Sequence, residues 1–557
     1  MRIPFGSRER ARERDPGRTR TGGQGSGPRR GPARPHGGGS GHDPARGRRG
    51  VARSLCAVGC GALPALAFPA PGLWWWAYLS LVPWLLLIRT APGARRAGLD
   101  GWLGGVGFVL AVHHWLLPSL HLFLLPLAAL LGLLWLPWGR LVLSLLGGSP
   151  SPSRAAAALL AVPSGWLLIE LVRSWEGLGG PWGLLGASQW EVPTALRLAS
   201  VGGVWLVSLL VVAVNTAVVL LLAAPGPRAV GVAGLTACAL VAGTAAWGVG
   251  APGERGTVRV ALVQPGVYGG PDGPERRLAR AEELTRSLAG QRLDLVVWGE
   301  SGVGVDPAGR PELAARLTAL ARAVDAPLLV NVDARRADRP GIFKSAVLVV
   351  PTGLTGERYD KMRLVPFGEY VPAREVLGWV TSVGKAAQED RRRGTAPVVM
   401  TLPASGSDGG RGLRVGPLIC FESAFPDMGR RLVRDGAGLL VVQSATSTFQ
   451  ESWAPAQHAS LAALRAAETG RPVVHATLTA YGPDGRRVGP VLGTDASAVA
   501  VRELPLAATT TGYVRWGDWP LYGALVVVGA VCAAEGAGAF RRPGPGPRVR
   551  RARTGRG

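Results

Sequence analysis

Lysine is almost missing from this chain: Lys344, Lys361 and Lys385 stand against 59 arginines. Where Arg replaces nearly every Lys, a retained Lys points to a need for a compact ammonium, which Arg's planar fork does not supply. Cysteine is scarce too, with five in 557 residues. Four of them, Cys56, Cys60, Cys238 and Cys532, fall in long apolar runs, where a small polarizable side chain needs no special role. That leaves Cys420 alone between residues 251 and 520, and excludes an internal disulfide there. Acidic residues number 37 against 62 basic ones, for a net charge of +25. Charged residues of both signs make up only 18%, while 47% hydrophobic residues exclude a wholly disordered chain.

A basic excess of this size points first to nucleic acid or an anionic membrane surface. Its distribution argues against nucleic acid. Residues 1–53 hold 14 Arg and 4 acids, and residues 541–557 hold 7 Arg and no acid, so the two ends carry 17 of the 25 charges. Both are rich in Gly, Pro and Arg and have little to bury, so two disordered basic tails are expected.

Between residues 54 and 250 the apolar runs are long and nearly free of charge. Spans are expected near 54–71, 73–89, 99–117, 119–146, 155–173, 199–224 and 229–249, with an eighth near 521–540. No cleavable leader is expected, because the first apolar run begins after about 50 residues and others follow it. If the basic N-terminus is cytoplasmic, the inner connections hold Arg89, Arg95, Arg96, Arg154, Arg228, Arg541 and Arg542. The first two outer connections carry no Arg or Lys, in keeping with the positive-inside rule. Seven spans then place residues 251–520 outside, and the eighth returns the basic C-terminal tail to the cytoplasm, where both tails suit anionic lipid. The connection after the fifth span, GLGGPWGLLGASQ at 177–189, follows Glu170 and Arg173. Such an ion pair either holds helices together or serves a substrate.

From residue 257 the pattern changes to short Val- and Leu-rich strands at 258–264, 293–298, 327–332, 346–350, 413–420, 438–443 and 472–477. Helical periodicity fits 275–289, 311–324, 426–434 and 456–469, with loops at 388–394 and 404–411. Continuous apolar strands imply sheets covered on both faces, hence one α/β domain. Cys420 closes one of these strands and Glu300 directly follows another; Lys361 lies in the dense run RYDKMRLVPFGEYVP at 358–372. A carboxylate, an ammonium and a thiol together make an acyl-transfer device. The carboxylate takes a proton, the ammonium favours the thiolate and an oxyanion, and the thiol forms a thioester.

These residues carry a resemblance. Trp298-Gly-Glu-Ser301, Tyr359-Asp-Lys361, Leu364-Val-Pro-Phe-Gly-Glu-Tyr370 and Ile419-Cys-Phe-Glu422 resemble the Glu–Lys–Cys signature of the nitrilase superfamily. With the many apolar spans, the Pro-Trp-Gly…Ser-Gln stretch at 181–189 and Arg515-Trp-Gly-Asp518, the chain resembles that superfamily's membrane-bound branch, the apolipoprotein N-acyltransferases. The resemblance implies an αββα sandwich on a membrane domain of about eight helices. It implies Glu300 as base, Lys361 as oxyanion-stabilising cation and Cys420 as nucleophile. It further implies that Glu369, Phe421 and Glu422 shape the site and that Trp298 contacts substrate. The implied partners are a phospholipid acyl donor, a diacylglyceryl-modified apolipoprotein acceptor and membrane lipids, at a bacterial plasma membrane.

Three positions depart from the family pattern: 444–449 reads SATSTF, 477–482 is shortened, and Phe421 stands where Tyr is frequent. Two rivals follow, a membrane-anchored nitrilase-type amidase and a non-catalytic lipoprotein-binding paralogue. One span would suffice to anchor an amidase. His113 and His114 sit in a span, and no Cys/His metal spacing, Rossmann or P-loop signature occurs, so no metal or cofactor is expected.

Overall fold

The computed structural model describes residues 44–223, 226–250, 252–372, 374–377, 389–403, 412–445, 451–476 and 478–537. The basic tail after residue 537, most of the N-terminal tail, Lys385, the 404–411 loop, residues 446–450 and Thr477 lie outside them.

Six described helical stretches are long and apolar enough to cross a membrane: Arg48–Ala67, His114–Gly132, Pro152–Arg173, Pro193–Leu222, Arg228–Gly248 and Trp519–Gly536. The difference from eight has local causes. The run at 73–89 breaks into a 3₁₀ turn, Trp74–Tyr78, and the helix Val82–Arg89, with Pro83 at the second helix's start. The run at 119–146 divides into Leu124–Gly132 and Trp135–Leu146. The helix Ala94–Val112 has the length but carries Arg95, Arg96 and Asp100 in its first turns. There Asp100 is buried and receives hydrogen bonds from Arg53 and Arg96. The helix Pro193–Leu222 is itself interrupted at Gly202–Gly203, where Gly203 takes φ +69°.

Among the described residues the second region has twelve strands: β1 Glu254–Gln264, β2 Leu295–Trp298, β3 Leu328–Arg335, β4 Ile342–Val350, β5 Gly353–Asp360, β6 Met400–Thr401, β7 Arg414–Ile419, β8 Leu439–Gln443, β9 Val473–His475, β10 Thr479–Tyr481, β11 Arg487–Val488 and β12 Ala498–Ala507. They form two six-stranded sheets, ordered β12-β1-β2-β3-β4-β5 and β11-β10-β9-β8-β7-β6. β1, β2 and β3 run parallel, as do β7, β8 and β9. Side chains alternate along each strand, so the two faces feed different cores. Leu262, Leu295 and Val297 enter the core between the sheets, while Val263, Val296 and Trp298 enter the one under helices Gly273–Arg286 and Pro311–Val324.

One continuous core runs from the second sheet into the helical region, joining Leu418 and Val441 to Trp166 and Val207. Helix Ala454–Thr469 explains this continuity. Every one of its residues from Ala459 to Thr469 is buried, because it covers the second sheet with one face and meets helix Pro193–Leu222 with another. Polar ties join the same surfaces. Glu468 Oε1 accepts the Val204 N–H (2.8 Å) freed by the Gly203 break, and Asp518 accepts from Trp205 (3.1 Å) and Arg430 (2.7 Å).

Candidate active site

All three expected reactive residues lie at one end of the sandwich. Glu300 follows β2, Lys361 follows β5 and Cys420 follows β7. β5 runs antiparallel to β4, which runs antiparallel to β3, so β5 ends at the same edge as β2 and β3. The ends of the two sheets are stitched together at that edge. Glu300 N donates to Ser444 O (3.1 Å), and Gln443 Nε2 donates to Trp298 O (3.0 Å) and Leu329 O (3.1 Å). Three non-glycine residues with positive φ flank this point: Ser301 (+55°), Phe367 (+59°) and Cys420 (+52°). Backbone held in this region costs roughly 1–3 kcal/mol per residue and persists where the surroundings over-determine it. At Cys420 the turn throws the side chain off the strand end into the site, and the 3₁₀ helix Cys420–Ala424 follows.

The Lys361 ammonium is wholly buried and donates to Glu369 Oε1 (2.8 Å) and Glu300 Oε1 (3.3 Å). Burial alone would depress its pKa, but the two carboxylates raise it above the ordinary lysine value. Burial would likewise raise Glu300. Lys344 and Lys361 outweigh that and hold its carboxyl well below the usual carboxylate range. The Cys420 thiol is pushed up to about 12, first by burial and then by the Glu300 charge, so it is neutral at rest. Glu300 lies close enough to this thiol for the two groups to shift one another's protonation. A neutral thiol beside an ionised carboxylate is the reactant state of a base-assisted attack, with a fixed cation adjacent for the charge that develops.

The supporting residues divide. Glu369 is in the cluster, its second oxygen accepting Val365 N (2.9 Å). Glu422 is fully buried and touches neither Glu300 nor Lys361. Its Oε1 accepts from Tyr359 Oη (2.6 Å), Met362 N (2.7 Å) and Arg363 N (3.1 Å), and its Oε2 accepts from Ile419 N (2.8 Å). It therefore ties the chain after Lys361 to the chain before Cys420. Trp298 departs from the expected substrate contact. It is buried in the core under the helices, with its indole N–H donated to Thr285 Oγ1 (3.0 Å). The parity of β2 explains this, since neighbouring side chains on a strand point to opposite faces. Phe421 packs edge-on to Phe425 (5.0 Å between centroids), directly under Gly180.

Gly180 belongs to the 177–189 segment of the helical region, and this segment lies against the nucleophile turn. Trp182 Nε1 donates to Gln457 Oε1 (2.6 Å), and its ring lies 5.7 Å from that of His458. His458 Nε2 in turn is 3.0 Å from Cys420 O. Glu170 accepts from Leu185 N (2.7 Å) and Trp166 Nε1 (2.9 Å), while Arg173 donates to Trp182 O and lies over the Phe108 ring. Glu170 and Arg173 thus hold the loop rather than one another. A second carboxylate of this region, Glu176, accepts from Leu364 N (3.2 Å) and pairs with Arg393 (2.7 Å) and Arg363 (3.5 Å). Among the described residues no group of three or more His, Cys, Asp or Glu is placed to hold a metal ion.

Two family profiles match: "Apolipoprotein N-acyltransferase N-terminal domain" over residues 60–217 and "Carbon-nitrogen hydrolase" over residues 259–511. A protein from Azotobacter vinelandii named apolipoprotein N-acyltransferase is 33% identical over 532 residues, covering 90% of this chain and 98% of its own. The chain belongs to the apolipoprotein N-acyltransferase family. Proteins of the same name from Geobacter metallireducens (30% identical, 88% of this chain, 95% of theirs) and Pseudomonas aeruginosa (31%, 86% and 94%) are similar over most of their length. Like other members of the apolipoprotein N-acyltransferase family, this chain is an acyltransferase of the nitrilase superfamily and a membrane protein.

Sequence reasoning left several site residues out: His458 at the Cys420 carbonyl, Glu176 under Leu364, and above all Lys344. The last was visible as one of three lysines, but no motif tied it to the three strand ends that carry Glu300, Lys361 and Cys420.

Proposed function

We propose that the protein transfers a fatty acyl chain from a phospholipid, through a thioester on Cys420, to the N-terminal amine of a diacylglyceryl-modified apolipoprotein. The observation that carries this reading is the 177–189 segment of the helical region lying on the Cys420 turn, which puts the nucleophile beside the apolar helices where lipid substrates reside. Glu300 takes the thiol proton as sulfur attacks the ester carbonyl, and the Lys361 ammonium faces the oxyanion. When the ester C–O bond breaks, Glu300 returns that proton to the departing lysophospholipid oxygen. In the second half Glu300 takes a proton from the attacking amine, the C–S bond breaks, and the thiol is regenerated. Glu369 and Glu422 act through others: the first anchors Lys361, and the second fixes the two loops that bear Lys361 and Cys420. The membrane is a bacterial plasma membrane, with residues 251–520 outside and both termini in the cytoplasm.

Mass spectrometry of lipoprotein N-termini, from cells lacking the gene and from complemented cells, tests the reading. Restoration of an N-acyl group by the wild type but not by Cys420→Ala supports it. An unchanged N-terminus in complemented cells sinks it, and small-amide hydrolysis or Cys420-independent lipoprotein binding would then identify the rival.

A further inference from the structure

The acyl-transfer reading uses one lysine, but two lie in the site. Lys344 Nζ is 2.7 Å from Glu300 Oε1 and 2.9 Å from Glu369 Oε1, so each carboxylate oxygen that meets Lys361 also meets Lys344. Two acids and two ammoniums form a closed, buried square of zero net charge. Lys344 reaches it from the opposite direction to the other functional residues. It is the third residue of β4, and because β4 runs antiparallel to β3 and β5 its amino end lies at the edge where they finish. Asp333, its partner across the β3–β4 ladder, is 4.0 Å away and already engaged by Arg391 at 3.1 Å. The pull of Lys344 is therefore directed at Glu300 and Glu369.

We propose that Lys344 is a positioning residue for acyl transfer: a second fixed ammonium that lets the two buried carboxylates stay ionised together, so that Glu300 serves as base while Glu369 anchors Lys361.

Without it, two carboxylates would share the single Lys361 ammonium in a water-poor site. Like charges so close favour protonating one of them, and a protonated Glu300 cannot accept the thiol proton. The remaining charged or titratable neighbours do not supply the missing cation. Cys420 is neutral, His458 is held neutral by burial, Glu422 bonds to Tyr359 and backbone amides, and the nearby Arg391 is on Asp333. Arg277 is influenced by Asp333 as well.

The inference rests on the proposed acyl transfer, and the experiment separates the two. Purified full-length protein in detergent micelles with dioleoyl phosphatidylethanolamine and phosphatidylglycerol is assayed for acyl-Cys420 by mass spectrometry across pH 5 to 9. If the wild type forms no thioester at any pH while remaining folded, the acyl-transfer reading itself fails, and this inference with it. If it does, Lys344→Met is expected to move the acid limb of thioester formation up by about one pH unit or more. Adding Glu369→Gln removes one acid and restores zero net charge, so the double variant is expected to move the limb back down. Lys344→Arg should keep the limb near its wild-type place even where the rate falls. A Lys344→Met enzyme that loses rate with its acid limb unmoved overturns the proposal. So does a double variant whose losses are the product of the two single ones. Should Lys344→Met not fold alone, the double variant's limb, compared with that of Glu369→Gln, decides in the same way.

Discussion

At the scale of single residues, the site is a set of charges whose states fix one another, and the neutral histidine beneath the nucleophile is part of that set. Burial lowers His458 from its ordinary 6.5 to about 4, and the same cause pushes His475 well below 6.5. Their rings pack edge to face at 4.6 Å, and His458 also meets Ser423 Oγ (2.9 Å). For a base whose pKa is lower in the folded state, the unfolded chain binds the extra proton first. The stabilising contribution is therefore present above about pH 6.5 and is lost as pH falls toward about 4. The thermal unfolding midpoint in detergent should accordingly fall over that interval, and His458→Gln should flatten part of the fall. A wild-type midpoint that stays level between pH 6.5 and 4.5 would contradict this account. Residues were unequally legible in the sequence. Glu300, Lys361 and Cys420 each follow a strand or stand alone by type, so they could be named. Lys344 could not, because only the antiparallel register opposite Asp333 and next to Ser345–Asp360 brings it to the same edge. For Trp298 the resemblance implies substrate contact, but its side of the strand is decided by which core needs filling.

At the scale of elements, the decisive contact is that of the 177–189 segment on the 3₁₀ turn Cys420–Ala424. Gly180 has φ +71°, and a Cβ there would fall 2.6 Å from Phe421 Cζ and 2.8 Å from Phe425 Cζ. Both the backbone conformation and the space exclude a larger residue. Gly180→Ala is expected to lower acyl transfer at least tenfold while leaving membrane insertion and expression intact. Full activity in this variant would show that the contact is dispensable. The parallel strands and the four main helices of the second region were legible, because their apolar runs and periods are strong. β5 and β12 were not. β5, GLTGERYD, is largely polar with two glycines, and β12 contains charges and Pro505, since its outer edge faces solvent. Helix breaks were also hidden. Composition showed the apolar runs, but Pro83, Gly202 and Gly203 decide where each run stops being one helix.

At the scale of the whole molecule, charge marks direction. The nearly balanced 251–520 region, with 33 basic and 28 acidic residues, lies between runs whose basic connections are expected on the opposite side. A fluorescent protein fused after residue 557 should therefore fold and fluoresce, whereas alkaline phosphatase fused there should stay inactive. Alkaline phosphatase fused between residues 404 and 411 should be active, and the reverse pattern would invert the proposed topology.

The break at Gly203 has a consequence for how the protein is made. A chain emerges from its N-terminus, so the helix Pro193–Leu222 is complete some 250 residues before Glu468 exists. Until then the Val204 amide, deep in apolar surroundings, has no acceptor from that side chain. The helical region is thus completed late, by a carboxylate that arrives only once helix Ala454–Thr469 of the second region has packed against it. Folding of the second region therefore doubles as a late step in assembling the helical one, and a misfolded sandwich would leave the Val204 amide without this acceptor.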